Sequence, residues 1–150
     1  MLLIHRTEPN IVIAVSGRNP NKEIDMLADR AAMATIAVKN IGAAKKFYGE
    51  LLGLKKSGEM GDDIATYESG SSTILVYKSD FAGTNKATSA TWDVGDEFDA
   101  IVKTLKAEAV PFEHYDMPGM TRQGDIHVSG DFKGAWFKDP DGNILHINNQ

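Results

Sequence analysis

The stretch Ala34–Val38 reads ATIAV, and 56 residues further on, counting from 34 to 90, the stretch Ala90–Val94 reads ATWDV. The same offset aligns Asn40 with Asp96, two short polar residues that each stand where a helix is expected to begin. Self-similarity at a fixed offset is typical of a chain that repeats one structural unit. The sequence therefore predicts two modules with the same order of strands and helix.

Residues 33–80 carry the pattern of the first module. The pattern predicts a strand at Met33–Lys39, then a helix capped by Asn40 and ended by Gly53. The apolar face of this helix is expected to comprise Ile41, Ala44, Phe47 or Tyr48, Leu51 and Leu52. Two extended segments follow, Ile64–Glu68 and Thr73–Lys78, and the turn-forming residues between them predict a hairpin.

The second module repeats this order in residues 88–150. A helix is predicted at Glu97–Ala109, ended by Pro111. Its apolar face comprises Phe98, Ile101, Val102, Leu105 and Ala109. Extended segments are predicted at Phe112–Tyr115, around Ile126–Val128, at Ala135–Lys138 and at Ile144–Asn148. The residues of Asp139–Asn143 are those of a tight turn, and we give this segment a structural role.

Three motifs of the chain together resemble the vicinal oxygen chelate superfamily, which includes glyoxalase I, extradiol dioxygenases and bleomycin-resistance proteins. They are the strand end Val38–Asn40, the segment Phe47–Leu54 (FYGELLGL) and the segment Trp136–Asn143 (WFKDPDGN). The resemblance covers about residues 33–148. It implies an α+β fold in which two βαβββ modules, residues 33–80 and 88–150, form a cupped mixed sheet around a common cavity, and it implies a homodimer.

Composition limits the partners of this protein. The 150 residues carry a net charge of −5, and an acidic surface repels phosphate, so we expect no nucleic-acid partner. The chain contains no cysteine, which excludes disulfides, thiolate metal sites and thiol nucleophiles.

The first 32 residues lack the periodic pattern and are interpreted as an N-terminal extension. Their aliphatic run, Ile11–Val15, resembles a short strand and is far shorter than the ~20 residues that cross a bilayer. The chain start does not have the pattern of a signal peptide. We therefore expect a cytoplasmic protein without a membrane partner.

The resemblance also implies where a metal would bind. Members that carry out chemistry hold one divalent ion between the modules, with ligands from the first and last strand of each. These positions correspond to Met33, Ser89 and His146, and in the first module to Ile74 or Leu75. Thioether, hydroxyl and aliphatic groups are poor ligands for such an ion, so His146 is the one plausible retained ligand. We predict no cofactor, and a divalent metal stays the less favoured alternative.

Strand alternation and the resemblance select the residues that are expected to face the cup. His146 points away from Leu145 and Ile147, which we expect to pack under the helices. The predicted ligand-binding set is Met33, Thr35, Ser89, Thr91, Trp136 and His146. Each member also has a structural interpretation, as an interior histidine, a core tryptophan or ordinary strand residues.

These observations favour a protein that binds a small, partly apolar molecule in the cup without the metal. Two alternatives stay open. One is a metal-dependent enzyme, similar to a lyase, glyoxalase or dioxygenase, that uses His146 with nonstandard ligands such as His127 or Glu68. The other is an interacting dimer with a filled cup. Whether a reaction is catalysed is undecided at this point, and we assign no role to His5, His114 or His127.

Overall fold

The computed structural model describes Leu27 and residues 30–150. The compact unit that carries the fold is Ala32–Gln150. Most of the predicted N-terminal extension, including Ile11–Val15 and His5, lies outside the described residues. Among the helices in the described part of the chain, none is long and apolar enough to span a bilayer.

The first module has the predicted order of one strand, a helix and further strands. Its strands are β1 (Ala34–Val38), β2 (Lys55–Met60), β3 (Ile64–Ser69) and β4 (Ser72–Lys78). They form a sheet in the order β1-β4-β3-β2, in which β1 runs parallel to β4 and the other pairs are antiparallel. The residue pattern had not revealed β2, because its sequence KKSGEM is polar and lies at the exposed edge of the sheet.

The first helix changes its winding after one turn. It begins as α1 (Ile41–Ala44) and continues as a π-helical segment, Lys45–Leu51, which ends with a hydrogen bond from the Leu52 N–H to the Phe47 carbonyl. A π turn holds more residues than an α turn, so Phe47 and Tyr48 are both buried. The sequence had assigned only one of these two residues to the apolar face, without deciding which. The predicted cap is confirmed: the Asn40 side chain accepts a hydrogen bond from the Ala43 N–H at 2.9 Å.

The second module has the same plan with two additional short strands. It consists of β5 (Thr88–Asp93), α2 (Phe98–Ala107), β6 (Phe112–Glu113), β7 (Thr121–Gln123), β8 (Ile126–Ser129), β9 (Phe132–Lys138) and β10 (Ile144–Asn148). The strands form a sheet in the order β5-β10-β9-β8-β7, and β6 pairs with β9. As in the first module, the first and last strands, β5 and β10, run parallel. The predicted fold of two βαβββ modules is confirmed.

The boundaries predicted for the second helix were wrong at both ends. Asp96 does not cap the helix, because it lies inside a short 3-10 turn, Gly95–Glu97, and α2 begins only after Glu97 without a side-chain cap. At the other end, Ala109 lies beyond the helix and is exposed. Its φ of 56° places it in the left-handed region, so it cannot continue the apolar face.

The helices cover one face of the two sheets, and the core lies between them. The core is continuous from the first module, where it includes Ile36, Val76 and Tyr48, to the second, where it includes Phe98 and Leu145. The opposite face of the sheets points away from the helices, and we call it the cup face. Alternation along each strand decides which residues belong to it.

The turn Asp139–Asn143 ties the second module to the first. The Asp139 carboxylate accepts hydrogen bonds from the backbone N–H groups of Asp141 and Asn143, each at 2.9 Å, and from the Tyr48 hydroxyl at 2.7 Å. The Asn143 amide donates to the Ala37 carbonyl at 2.8 Å. Burial, followed by the charge of Asp139, raises the pKa of Tyr48 well above its ordinary value, so the hydroxyl stays protonated and donates. These hydrogen bonds confirm the predicted structural role of the turn.

Candidate ligand-binding site

Strand register brings three of the six predicted residues into one row. On the cup face, Thr91 of β5 pairs with His146 of β10, and His146 pairs with Trp136 of β9. In the first module the equivalent pair is Thr35 of β1 with Leu75 of β4. Thr35 and Thr91 are both exposed. The register therefore shows that Leu75, rather than Ile74, occupies the position that corresponds to His146.

The rings of His146 and Trp136 form the centre of this row. They are stacked, with centroids 4.2 Å apart and planes 24° from parallel. Trp136 is half-buried, and its indole N–H donates to the Thr88 hydroxyl at 3.2 Å. His146 is 8% exposed and Trp136 is half-buried, so Trp136 is the more accessible ring of the stack, and Thr91, the row neighbour of His146, is exposed.

His146 is held against the sheet because the residue beside it has no side chain. A Cβ at Gly134 would lie 2.9 Å from the Nε2 atom of His146, which is closer than two such atoms approach. Gly134 therefore allows the imidazole to lie flat over β9. Its Nε2 atom is buried and has no hydrogen-bond partner among the described residues.

A second histidine, His127, belongs to this site, although the sequence had offered it only as a possible nonstandard metal ligand and had given it no role in the cup. It is 1% exposed, and its ring meets Trp136 edge to face at 5.0 Å. The sequence carried a signal for it, since His127 alternates with Ile126 and Val128 in the same way as His146 alternates with its neighbours. Ile126 packs against the core, so His127 has to face the cup.

The hydrogen bond at His127 determines its tautomer. Its Nε2 atom accepts the backbone N–H of Tyr115 at 2.9 Å, and an atom that accepts carries no proton. The proton of the neutral ring is therefore on Nδ1, which is buried and has no partner within the part of the chain that the structure describes. Tyr115 also packs edge to face on Trp136 at 5.6 Å and closes the aromatic cluster.

The surroundings of His146 favour the neutral form of its imidazole over the protonated form. Burial is the main cause that lowers its pKa below the ordinary value, and the nearby His127 adds to the effect. His146 is therefore uncharged at pH 7, and its neutral ring has one hydrogen-bond donor and one acceptor.

The remaining predicted residues, Met33 and Ser89, stand at the starts of the first strands of the two modules, and His114 lies apart from the stack. Met33 precedes β1 and is 51% exposed, and Ser89 is half-buried at the start of β5. His114 is exposed and bonds Asp125 at 2.8 Å. Asp125 also pairs with Lys106 at 2.7 Å. The hydrogen bond from Lys106, followed by the one to His114, holds the pKa of the Asp125 carboxyl below its usual range.

The family of the chain is shown by its match to a family model. The model described as Glyoxalase/Bleomycin resistance protein/Dioxygenase superfamily matches residues 30–147. The chain belongs to this superfamily. A search of curated protein sequences found no match.

Solved structures of this superfamily share the fold at low sequence identity. A glyoxalase/dioxygenase from Nostoc punctiforme is 17% identical, with a TM-score of 0.63, over 87% of this chain and 97% of that chain. Lactoylglutathione lyase from Agrobacterium tumefaciens is 16% identical, with a TM-score of 0.60, over 80% and 92%. The fosfomycin resistance protein FosX from Listeria monocytogenes is 12% identical, with a TM-score of 0.61, over 79% and 90%.

The residues at the superfamily's expected metal position do not fit a divalent ion. Within residues 30–150, together with Leu27, no group of three or more histidine, cysteine, aspartate or glutamate side chains is arranged to hold one. His146 pairs with Thr91, whose hydroxyl is a weak metal donor. In the first module, the position that corresponds to His146 is Leu75, which has no donor atom. His127 is a poor substitute, because the Nδ1 atom that would bind a metal carries the proton. Glu68 pairs with Lys55 at 3.0 Å on the other sheet.

Proposed function

We propose that this superfamily member binds a small, partly apolar molecule on its cup face, without a divalent metal as cofactor. The observation that carries the proposal is the stack of His146 on Trp136 beside the exposed hydroxyl of Thr91. In the proposed site, Thr35, Met33 and Ser89 line the surrounding surface.

The chemistry of the site fits a flat ligand with one polar group. An aromatic surface binds apolar or aromatic groups by contact area and ring stacking. A few hydroxyl and imidazole groups beside it orient one polar substituent, as in most small-molecule sites. The ligand class supported by these groups is a neutral or weakly acidic aromatic or aliphatic molecule that carries a hydroxyl, carbonyl or carboxyl group.

Metal-dependent catalysis is the competing hypothesis, and the donor set argues against it. A divalent ion needs several strong donors in a fixed geometry, whereas the row of the second module presents one imidazole and one hydroxyl, and the position in the first module that corresponds to His146 is the aliphatic Leu75. No reaction step is therefore assigned to the site. The homodimer and the cytoplasmic location stay predictions.

The protein contains two tryptophans, and the variant Trp92→Phe leaves Trp136 as the only tryptophan, whose emission can be excited selectively over that of the tyrosines. We expect a panel of small aromatic and aliphatic acids, ketones and alcohols to contain ligands that change Trp136 emission saturably and raise the melting temperature. In that background, His146→Ala and Thr91→Val should weaken the best ligand about five- to ten-fold, the loss expected for one hydrogen bond or stacking contact. His114→Ala, an exposed histidine away from the stack, is the matched control.

Metal analysis of the purified protein separates the two hypotheses. We expect no stoichiometric divalent ion, and no effect of a chelator on ligand binding. A tightly held ion that is lost in His146→Ala, or turnover of an α-oxo substrate that a chelator stops, would show that the metal-dependent alternative is correct. Absence of any Trp136 response across the panel would contradict the binding proposal.

A further inference from the structure

Two buried imidazole nitrogens in the aromatic cluster of the cup have no hydrogen-bond partner. They are Nδ1 of His127 and Nε2 of His146, and they are two of the three such side-chain atoms in the part of the chain that the structure describes. Both side chains are almost fully buried. A buried polar atom without a partner costs free energy, so two of them in one cluster need a common explanation.

Gly134 of β9 brings these two nitrogens together. It is the strand partner of His127, and the Nε2 atom of His146 lies 2.9 Å from the place where its Cβ would stand. The Cβ positions of paired strand residues are about 4.5–5.5 Å apart, and Nδ1 is the ring nitrogen nearer to the Cβ. The two nitrogens are therefore neighbours above one glycine, within reach of a single bridging water molecule. Burial, followed by the charge of His127, lowers the pKa of His146, which agrees with two rings this close.

The tautomer of His127 constrains the tautomer of His146. Because Nε2 of His127 accepts the Tyr115 N–H, its proton is on Nδ1, which is a donor. If the proton of His146 were on Nε2, two N–H groups would face each other above Gly134. With the proton of His146 on Nδ1, its Nε2 atom accepts the His127 N–H through one water molecule. The donor at His127 therefore favours the Nδ1-protonated form of His146, which is the less common tautomer of a histidine side chain in water.

The other nitrogen of His146, Nδ1, is the one that a ligand in the cup can reach. It is not among the buried atoms, and it bonds none of the described residues. We propose that His127 is a positioning residue that fixes the proton of His146 on Nδ1 through the two nitrogens above Gly134, so that the cup offers an N–H donor and selects ligands with an acceptor, such as a carbonyl or carboxylate oxygen. This inference rests on the proposed binding function of the cup and narrows its ligand class.

The two tautomers can be measured in the full chain without any ligand. Long-range proton–nitrogen NMR spectra of the nitrogen-15-labelled protein at pH 8 distinguish a protonated ring nitrogen from an unprotonated one, and single substitutions assign the signals of the four histidines. We expect the proton on Nδ1 in both His127 and His146. A proton on Nε2 of either ring would overturn the inference.

Variants at position 127 test whether this residue sets the tautomer of His146. His127→Leu removes the donor, so the nitrogen shifts of His146 should move toward those of a mixture of both tautomers. His127→Asn keeps an N–H group close to the place of Nδ1 and should restore the Nδ1-protonated form. His114→Ala, an exposed histidine away from the stack, is the matched control and should leave the His146 signals unchanged. Unchanged His146 signals in His127→Leu would contradict the role of His127. If that variant does not fold, the unmodified protein and His127→Asn decide.

Two flat probes of similar size test the selection of acceptors. The ketone 1-indanone carries an oxygen that accepts a hydrogen bond, whereas indole carries an N–H group that donates one. We expect 1-indanone to bind about two- to ten-fold more tightly than indole, the range for one hydrogen bond, and to shift the Nδ1 signal of His146. The preference should vanish in His146→Phe, which keeps an aromatic ring, and decrease in His127→Leu. Equal affinities of the two probes for the unmodified protein would refute the selection.

Failure of this inference and failure of the proposed binding function are distinguishable, because the tautomers are determined without a ligand. If no molecule of the ligand panel binds the cup, the binding function fails and the selection of acceptors fails with it, whatever the tautomers are. If ligands bind while His146 carries its proton on Nε2, or while indole binds as tightly as 1-indanone, the binding function stands and the inference is wrong.

Discussion

The imidazole of His146 is buried against the ring of Trp136 and beside Gly134. Its exposed fraction is 8%, its Nε2 atom has no partner among the described residues, and His127 stands nearby. Each of these surroundings disfavours the charged ring, because a buried charge without a partner is costly. The same burial that lowers the pKa of this side chain makes it a neutral hydrogen-bonding group for the cup face.

The lowered pKa of His146 predicts how stability depends on pH. In the unfolded chain the imidazole takes up a proton near its ordinary pKa of about 6.5, whereas in the folded protein it does so only at lower pH. The unfolded state therefore binds more protons as the pH falls below about 6.5, and the free energy of unfolding should decrease there. His146→Gln should lose less stability than the original protein between pH 7 and pH 5.5 in urea titrations. Between pH 7.5 and pH 8.5, where the ring is neutral in both states, the difference between the two proteins should stay constant. An identical acid dependence would contradict the assigned pKa shift.

The two helices differ in how their ends are built, although the repeat aligns their starts. The first helix has a side-chain cap at Asn40 and widens into a π turn, which brings both Phe47 and Tyr48 into the core. The second helix starts from a 3-10 turn without a side-chain cap and ends before Ala109, an exposed residue in the left-handed region. That region is unfavourable for any residue with a Cβ, so the end of α2 stores strain.

This strain makes a stabilising substitution available at the end of α2. Ala109→Gly should raise the free energy of unfolding by about 0.5–1 kcal/mol, because the relief of the left-handed strain exceeds the added freedom of the unfolded chain. Ala100→Gly, at an exposed position inside α2, should lower it by about 1 kcal/mol. Urea denaturation of both variants measures the two effects. The same sign for both substitutions would contradict the left-handed conformation of Ala109.

The modules are held together by a small polar junction as well as by their shared core. Tyr48 and Asn143 bridge the first module to the turn that starts at Asp139. The segment Asp80–Asn85, which connects the modules, packs on the same turn, since a Cβ at Gly83 would collide with the Asp141 carbonyl oxygen. This contact favours the role of a linker that is fixed in place.

Closing this junction requires a glycine at position 83. Gly83→Ala combines a left-handed φ of 72° with the collision at Asp141, and it should lower the free energy of unfolding by at least about 3 kcal/mol, as for other substitutions that force backbone to move. Gly130→Ala has a φ of 57° and open space around it, so it should cost only about 1–2 kcal/mol. Denaturation midpoints of the two variants give the comparison. Equal costs would mean that the linker does not pack on the turn.

The sequence by itself determined the features that depend on local periodicity. The alternation around His146, the cap at Asn40 and the turn at Asp139–Asn143 follow from patterns within a few residues. Comparison of such patterns along the chain gave the 56-residue repeat, which predicted the two modules. The polar edge strand β2 left no such pattern.

Only the tertiary structure decided which distant residues meet. The register of β1 with β4 placed Leu75 opposite Thr35, and the pairing of β8 with β9 brought His127 to Trp136. The physical reason is that register and packing between segments are set by the simultaneous burial of many side chains, which no single stretch of sequence encodes.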